Sequence, residues 1–160
     1  MLSVLLIALT AQLKITAADV PVIMGAVVEH MESDTAFKGE NPLSGRPLTI
    51  NASSAEAFRE VLSGSTPRMA GSRGEYAVRP EAEVVTCQDE GRRCQIPDGS
   101  SLLTIEQLAA APSAGEYLLR VRSKWNDGSA ESGLASDTRV LTIAKSNGVW
   151  RVVDDAFAVY

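Results

Sequence analysis

The chain has 160 residues, 45% apolar and 22% charged, enough for one domain with its own core and too apolar for a disordered, collagen-like or coiled-coil chain. Fifteen basic against twenty acidic side chains leave a net charge of −5, which argues against a protein whose main work is gripping nucleic acid. Eleven of the cations are Arg and four are Lys, so the positive groups are mostly forked donors suited to carboxylates.

Leu2 to Leu13 is apolar over about a dozen positions, shorter than the roughly 20 residues of a bilayer-spanning helix. That is the length of the hydrophobic core of an export signal. Thr16 and Ala18 then stand at the −3 and −1 positions of a cleavage after Ala18. The expectation is a signal peptide over 1–18 and a single domain over 19–160, periplasmic or secreted, with no stable membrane span after the leader is removed. The alternative is that Leu2 to Leu13 opens a buried helix of the domain. No cysteine follows a lipobox pattern, so no lipid anchor is expected.

From Ala18 to Met31, Val20, Ile23, Met24, Val27, Val28 and Met31 recur at helical spacing, with Pro21 tolerated in the first turn. A Gly- and Pro-rich loop leads to a short extended run, Pro47 to Ile50. Asn51 or Ser53 can cap a second helix over Ala55 to Leu62. SGSTPRMAGSRG reads as a mobile surface loop. Strands are predicted over Glu83–Cys87, Leu102–Leu108, Tyr117–Trp125, Arg139–Lys145 and Val149–Val159, the last two joined by the hairpin signal Asn147-Gly148. NDGSAESGLAS reads as a flexible loop. The predicted fold is α+β, with N-terminal helices packed on a curved antiparallel sheet of about four to six strands.

Cys87 and Cys94 flank QDEGRR, whose Asp89 and Gly91 favour a turn. This predicts a disulfide-stapled hairpin, conditional on export; two reduced core cysteines are the alternative. One His and no second cysteine pair leave no zinc site, and Cys-x-x-Cys is absent. No metal or other cofactor is expected.

The closing run Gly148-Val149-Trp150-Arg151-Val152-Val153-Asp154-Asp155 resembles the last strand of the nuclear transport factor 2-like superfamily of cone-shaped α+β domains. The resemblance covers about the last 45 residues and the order of helices before strands. It implies a pocket between sheet and long helix and, often, a homodimer through the outer face of the sheet. Enzymes of that superfamily place an Asp or His with a Tyr inside the cone. Here His30 lies on the first helix and the sequence displays no Asp–His pairing, so catalysis is not implied.

No catalytic residue is assigned. Asp154 and Asp155 are adjacent, point to opposite faces of a strand, and are expected to pair with Arg120, Arg122 or Arg151 across the sheet; a buried catalytic base is the other possibility. Arg120, Arg122 and Lys124 share one strand face and need anions opposite, either neighbouring carboxylates or a carboxylate or phosphate ligand. Trp125, Trp150 and Phe157 read as core anchors. Arg120, Arg122, Lys124, Trp125, Trp150, Asp154 and Asp155 are the candidate ligand-binding set. His30 reads as a boundary residue at a helix C-terminus. Arg68, Arg73, Arg79, Arg92 and Arg93 are expected in solvated loops. Serine-nucleophile and phosphate-loop patterns are absent. The leading expectation is an exported binding or interaction domain for an unidentified small molecule or protein, with homodimerisation open. Its rivals are a small cone-type isomerase- or dehydratase-like enzyme, using Asp154 or Asp155 as base with Tyr117 or Tyr160 as donor, and an inhibitor or immunity-type protein.

Overall fold

A computed structural model describes residues 14–33, 41–52, 58–59, 68–71, 74–128 and 133–158. Helix α1 (Asp19–Met31) buries Val20, Ile23, Met24, Val27, Val28 and Met31, the stripe expected from the sequence. Its start is tied down by Asp19. Thr16 donates its backbone N–H and its hydroxyl to Asp19 Oδ2, at 2.9 and 2.7 Å. Asp19 Oδ1 accepts from Trp150 Nε1 at 2.7 Å and Lys145 Nζ at 2.9 Å, which fastens the helix to the last hairpin of the sheet.

The remaining elements, in chain order, are β1 (Leu48–Asn51), β2 (Arg68–Gly71), β3 (Gly74–Arg79), the one-turn α2 (Glu81–Val84), β4 (Thr86–Gln88), β5 (Arg93–Gln95), β6 (Ser101–Ala110), β7 (Glu116–Asn126), β8 (Leu134–Ser146) and β9 (Val149–Phe157). Seven of them form one sheet in the order β2-β3-β1-β6-β7-β8-β9, and β4-β5 is a separate hairpin. The C-terminal half is the expected antiparallel meander. At its last turn Asn147 and Gly148 both take positive φ, 51° and 78°, as a two-residue hairpin turn demands.

The fold class is α+β, but the sheet is neither purely antiparallel nor as small as four to six strands. Strand β1 runs parallel to both β3 and β6. Two features hid this end of the sheet. The presumed loop SGSTPRMAGSRG supplies β2 and the start of β3, which pair through Met69↔Tyr76 and Gly71↔Gly74; Gly and Ser carry no alternation to read. Residues Glu81–Val84 form a helical turn after Pro80 where a strand was predicted, so the extended run begins only at Thr86. Likewise Leu134–Ser136, within the presumed flexible loop, belong to β8. Of the second predicted helix, only Phe58 and Arg59 lie among the described residues. They are helical, and Phe58 is fully buried. The predicted leader core, Leu2 to Leu13, lies outside the described residues.

Two β-bulges set which side chain faces which way. On β6 the register slips between Ile105 and Gln107, leaving Glu106 as the extra residue. On β9, Val152 pairs with Ile143 and Asp154 with Thr142, leaving Val153 as the extra residue. Each bulge shifts the inward/outward alternation by one position.

The inner face of the sheet, with Ile50, Leu103, Ile105, Leu119, Val121, Leu141, Ile143 and Trp150, forms one core with the buried stripe of α1. A smaller cluster of Val84, Ile96 and Leu102 seats α2 and the β4–β5 hairpin on the other side. Cys87 and Cys94 are direct cross-strand partners in that hairpin and form a disulfide. The hairpin is clamped to β7: Ile96 N–H donates to Asn126 Oδ1 at 3.1 Å, and Asn126 Nδ2 donates to the Ile96 carbonyl at 2.7 Å. Gly133, at φ +68°, passes so close that an added Cβ would lie 2.6 Å from the Cys94 carbonyl oxygen. Only Gly fits there.

The Asp19 carboxyl is held below the ordinary carboxylate range, chiefly by the Trp150 indole N–H, then by the Thr16 donors and Lys145. A depressed folded-state pKa contributes stability that is complete above the unfolded value near 4 and is lost as pH falls toward the folded value. Urea unfolding at pH 7 is therefore expected to find Asp19→Ala less stable by about 1–3 kcal/mol, since Trp150 Nε1 loses its acceptor, and the gap is expected to narrow below pH 4. Cys87→Ser/Cys94→Ser is expected to cost roughly 2–3 kcal/mol through regained chain entropy in the unfolded state, read as a lower denaturation midpoint with an unchanged secondary-structure spectrum.

A candidate site at the groove between helix α1 and strand β9

Because of the bulge at Val153, Asp155 and not Asp154 faces the helix. Asp155 lies opposite Leu141 and Phe157 opposite Arg139, both on the inner face, whereas Asp154 lies opposite Thr142 on the outer face. Asp155 Oδ2 accepts from His30 Nε2 at 2.8 Å and from Arg139 Nη1 at 2.6 Å. Arg139, with only 3% of its side chain exposed, also donates from Nε to Asp137 Oδ2 at 2.8 Å. Its guanidinium lies 4.3 Å from the centroid of the Phe157 ring. One buried cation is thus held by two carboxylates and an aromatic face, and His30, in the last turn of α1, completes the chain of contacts.

His30 also lines an open groove of about 530 Å³ between α1 and β9, together with Ala26, Glu29, Ser33 and residues Val149 to Val152. Asp155 Oδ1 is buried and has no hydrogen-bond partner among the described residues. The arrangement can bind, because it places a half-buried imidazole and a neutralised carboxylate next to apolar walls. Asp155 Oδ2 is already engaged by both the imidazole and the guanidinium.

The candidate residues separate in space. Trp150 is buried and its ring meets Tyr117 edge-on at 6.1 Å. Trp125 packs partly buried against the core away from the groove. Phe157 is half exposed, not a core anchor, because β9 is the last strand of the sheet and has no neighbouring strand beyond it among the described residues. Arg120 and Arg122 share the outer face, where Glu106, turned outward by its bulge, accepts from Arg120 Nε at 3.1 Å and Arg122 Nη2 at 2.8 Å. Lys124 pairs with Glu81 of α2. Neighbouring carboxylates therefore meet these three cations, and the expected pairing of Asp154 or Asp155 with Arg120, Arg122 or Arg151 does not occur. Arg151 and Asp154 are exposed on the outer face without an ion-pair partner among the described residues. Among the Arg residues expected in loops, Arg68, Arg79 and Arg93 stand on strands, and Arg79, Arg92 and Arg93 are exposed; Arg73 lies outside the described residues, as does Tyr160.

The Asp–His pair that the sequence did not display spans 125 positions. Its partner Arg139 was missed altogether. The one available signal was Arg139 standing in phase with Leu141 and Ile143 on a half-buried strand, since an inward Arg demands anions. Among the described residues no group of His, Cys, Asp and Glu could hold a metal ion. No protein-family model matches this chain, and no curated protein or solved structure is significantly similar to it.

Asp155→Ala is expected to cost about 3–5 kcal/mol, because it strips a buried guanidinium of one carboxylate. His30→Gln is expected to cost only about 1 kcal/mol, the value of one net hydrogen bond. Chemical denaturation of both variants and of the double variant checks this, and the cycle should return a coupling between positions 30 and 155.

Proposed function

We propose that this chain is a small exported binding or interaction domain whose working surface is the α1–β9 groove and the strand edge that borders it. The observation that carries the reading is where apolar surface is left uncovered. The large hydrophobic side chains exposed among the described residues are Val22, Val149, Val153 and Phe157, and all four stand on α1 or β9. Scattered exposed residues mean nothing, but here all four fall on the two elements that wall the groove, and Val149 lines it, which marks these elements as an interaction surface. The disulfide supports export to an oxidising compartment, and no helix among the described residues is long and apolar enough to cross a membrane. The likeness of the closing strand to the cone-shaped domains adds only that a site between helix and sheet is a common arrangement.

A second reading is favoured by one contact. In a small acid–base enzyme, His30, oriented by Asp155 at 2.8 Å, would take the proton, and Asp155 would hold the ring instead of acting as the base.

The probe for the first reading is the amphipathic dye 1-anilinonaphthalene-8-sulfonate, followed by amide shift changes. The expected shifts map to Ala26–Ser33 and Val149–Val152, and Val149→Lys removes them. Shifts centred on the small outer-face hollow around Leu118 and Val140 would overturn the reading. For the second, carbethoxylation of the single His should be fast and slowed by the dye; an inert imidazole removes the enzyme from consideration.

A further inference from the structure

Strand β9 is the end strand of the sheet, nine residues long, and its outward edge meets no other strand among the described residues. Such an edge is a template for a further strand. We propose that its occupant is β9 of a second copy of this chain, running antiparallel about a two-fold axis between Val152 and Val153. This rests on the reading of the α1–β9 surface as the interaction surface and names its partner.

The bulge selects that register. In antiparallel strands directly opposed residues share a face. In a regular strand, Arg151 and Asp154, three positions apart, would point to opposite faces and could not be opposed by symmetry. Here the extra residue Val153 intervenes. Arg151 pairs with Ala144 and Asp154 with Thr142, so both project to the outer face. A two-fold axis between Val152 and Val153 therefore sets Arg151 of each copy opposite Asp154 of the other, and these are charges that lack an ion-pair partner among the described residues of their own chain. Shifting the register by two residues in either direction loses the match. The same axis sets Val149 opposite Ala156 and Trp150 opposite Asp155, each pair on a common face. The regular stretches on either side of the bulge carry the ladder.

The apolar surface fits the same partner. Val149 and Val153 line the edge, at 47% and 54% exposure, and Val22, at 51%, stands one helical turn before Ala26, which lines the groove. With the copies side by side in one continuous sheet, the two α1 helices lie on the same side of the seam, and their Val22/Ala26 stripes face each other across it. An isologous contact needs this kind of self-complementarity: one patch that supplies both an apolar stripe and charges of each sign.

Sedimentation of the full chain over a concentration series, with hydrogen exchange on the dimer, tests this. The expected result is a reversible dimer with slowed exchange at Val149–Phe157. Arg151→Asp alone and Asp154→Arg alone each set like charges opposite one another at two places and should weaken self-association by about tenfold or more. The charge-swapped Arg151→Asp/Asp154→Arg variant should recover it, and a mixture of the two single variants should form a heterodimer that neither forms alone. Both positions are exposed and outside the core, and a thermal melt of each variant verifies folding. A monomer at every concentration, or a dimer indifferent to the single changes and to their mixture, overturns the second-copy inference. The surface reading fails separately, by dye shifts that lie away from α1 and β9.

Discussion

One extra residue in the last strand governs the chemistry of this protein. Before Val153, strand β9 turns Trp150 and Val152 toward the helix; after it, Asp155 and Phe157 take that side. Without the bulge the inward position would fall on Asp154, and the buried Arg139 would face the wrong member of the Asp pair. A buried guanidinium is tolerable only with anions and hydrogen bonds around it, so the register slip and the burial of Arg139 are one constraint. The bulge on β6 does the same for the outer face, where it turns Glu106 between two arginines that would otherwise repel.

Helix α1 is fixed near both ends by polar side-chain contacts and between them by apolar packing. At its start Asp19 gathers Thr16, Lys145 and Trp150, and near its end His30 reaches Asp155. Both anchors join the helix to the last two strands, and between them lies the groove. The groove is thus walled by a helix and a strand that are joined at its two ends.

The two sides of the sheet are used differently. The inner face is closed by α1, and the outer face carries paired ions, which stabilise modestly. The stapled β4–β5 hairpin, with α2, covers the apolar part of the outer face around Leu102 through Val84 and Ile96. Among the described residues the β9 edge is left uncovered, with its valines, its half-exposed Phe157 and two charges without an ion-pair partner.

Periodicity by itself determined α1, the four-stranded meander and the turn at Asn147-Gly148, because those segments are long enough for spacings of 3.6 and 2 to be read and because the Asn-Gly turn needs no tertiary help. The spacing of Cys87 and Cys94 across a turn likewise made their pairing legible. Four-residue strands such as β1 and β2 are too short to carry such a signal, and the parallel sense of β1 depends on neighbours far along the chain. Only the tertiary structure decided that His30 meets Asp155, that Arg139 is the buried cation and that Arg151 and Asp154 share a face. Each of these follows from strand register, and a one-residue bulge, invisible in composition or alternation, reverses the direction of every side chain beyond it.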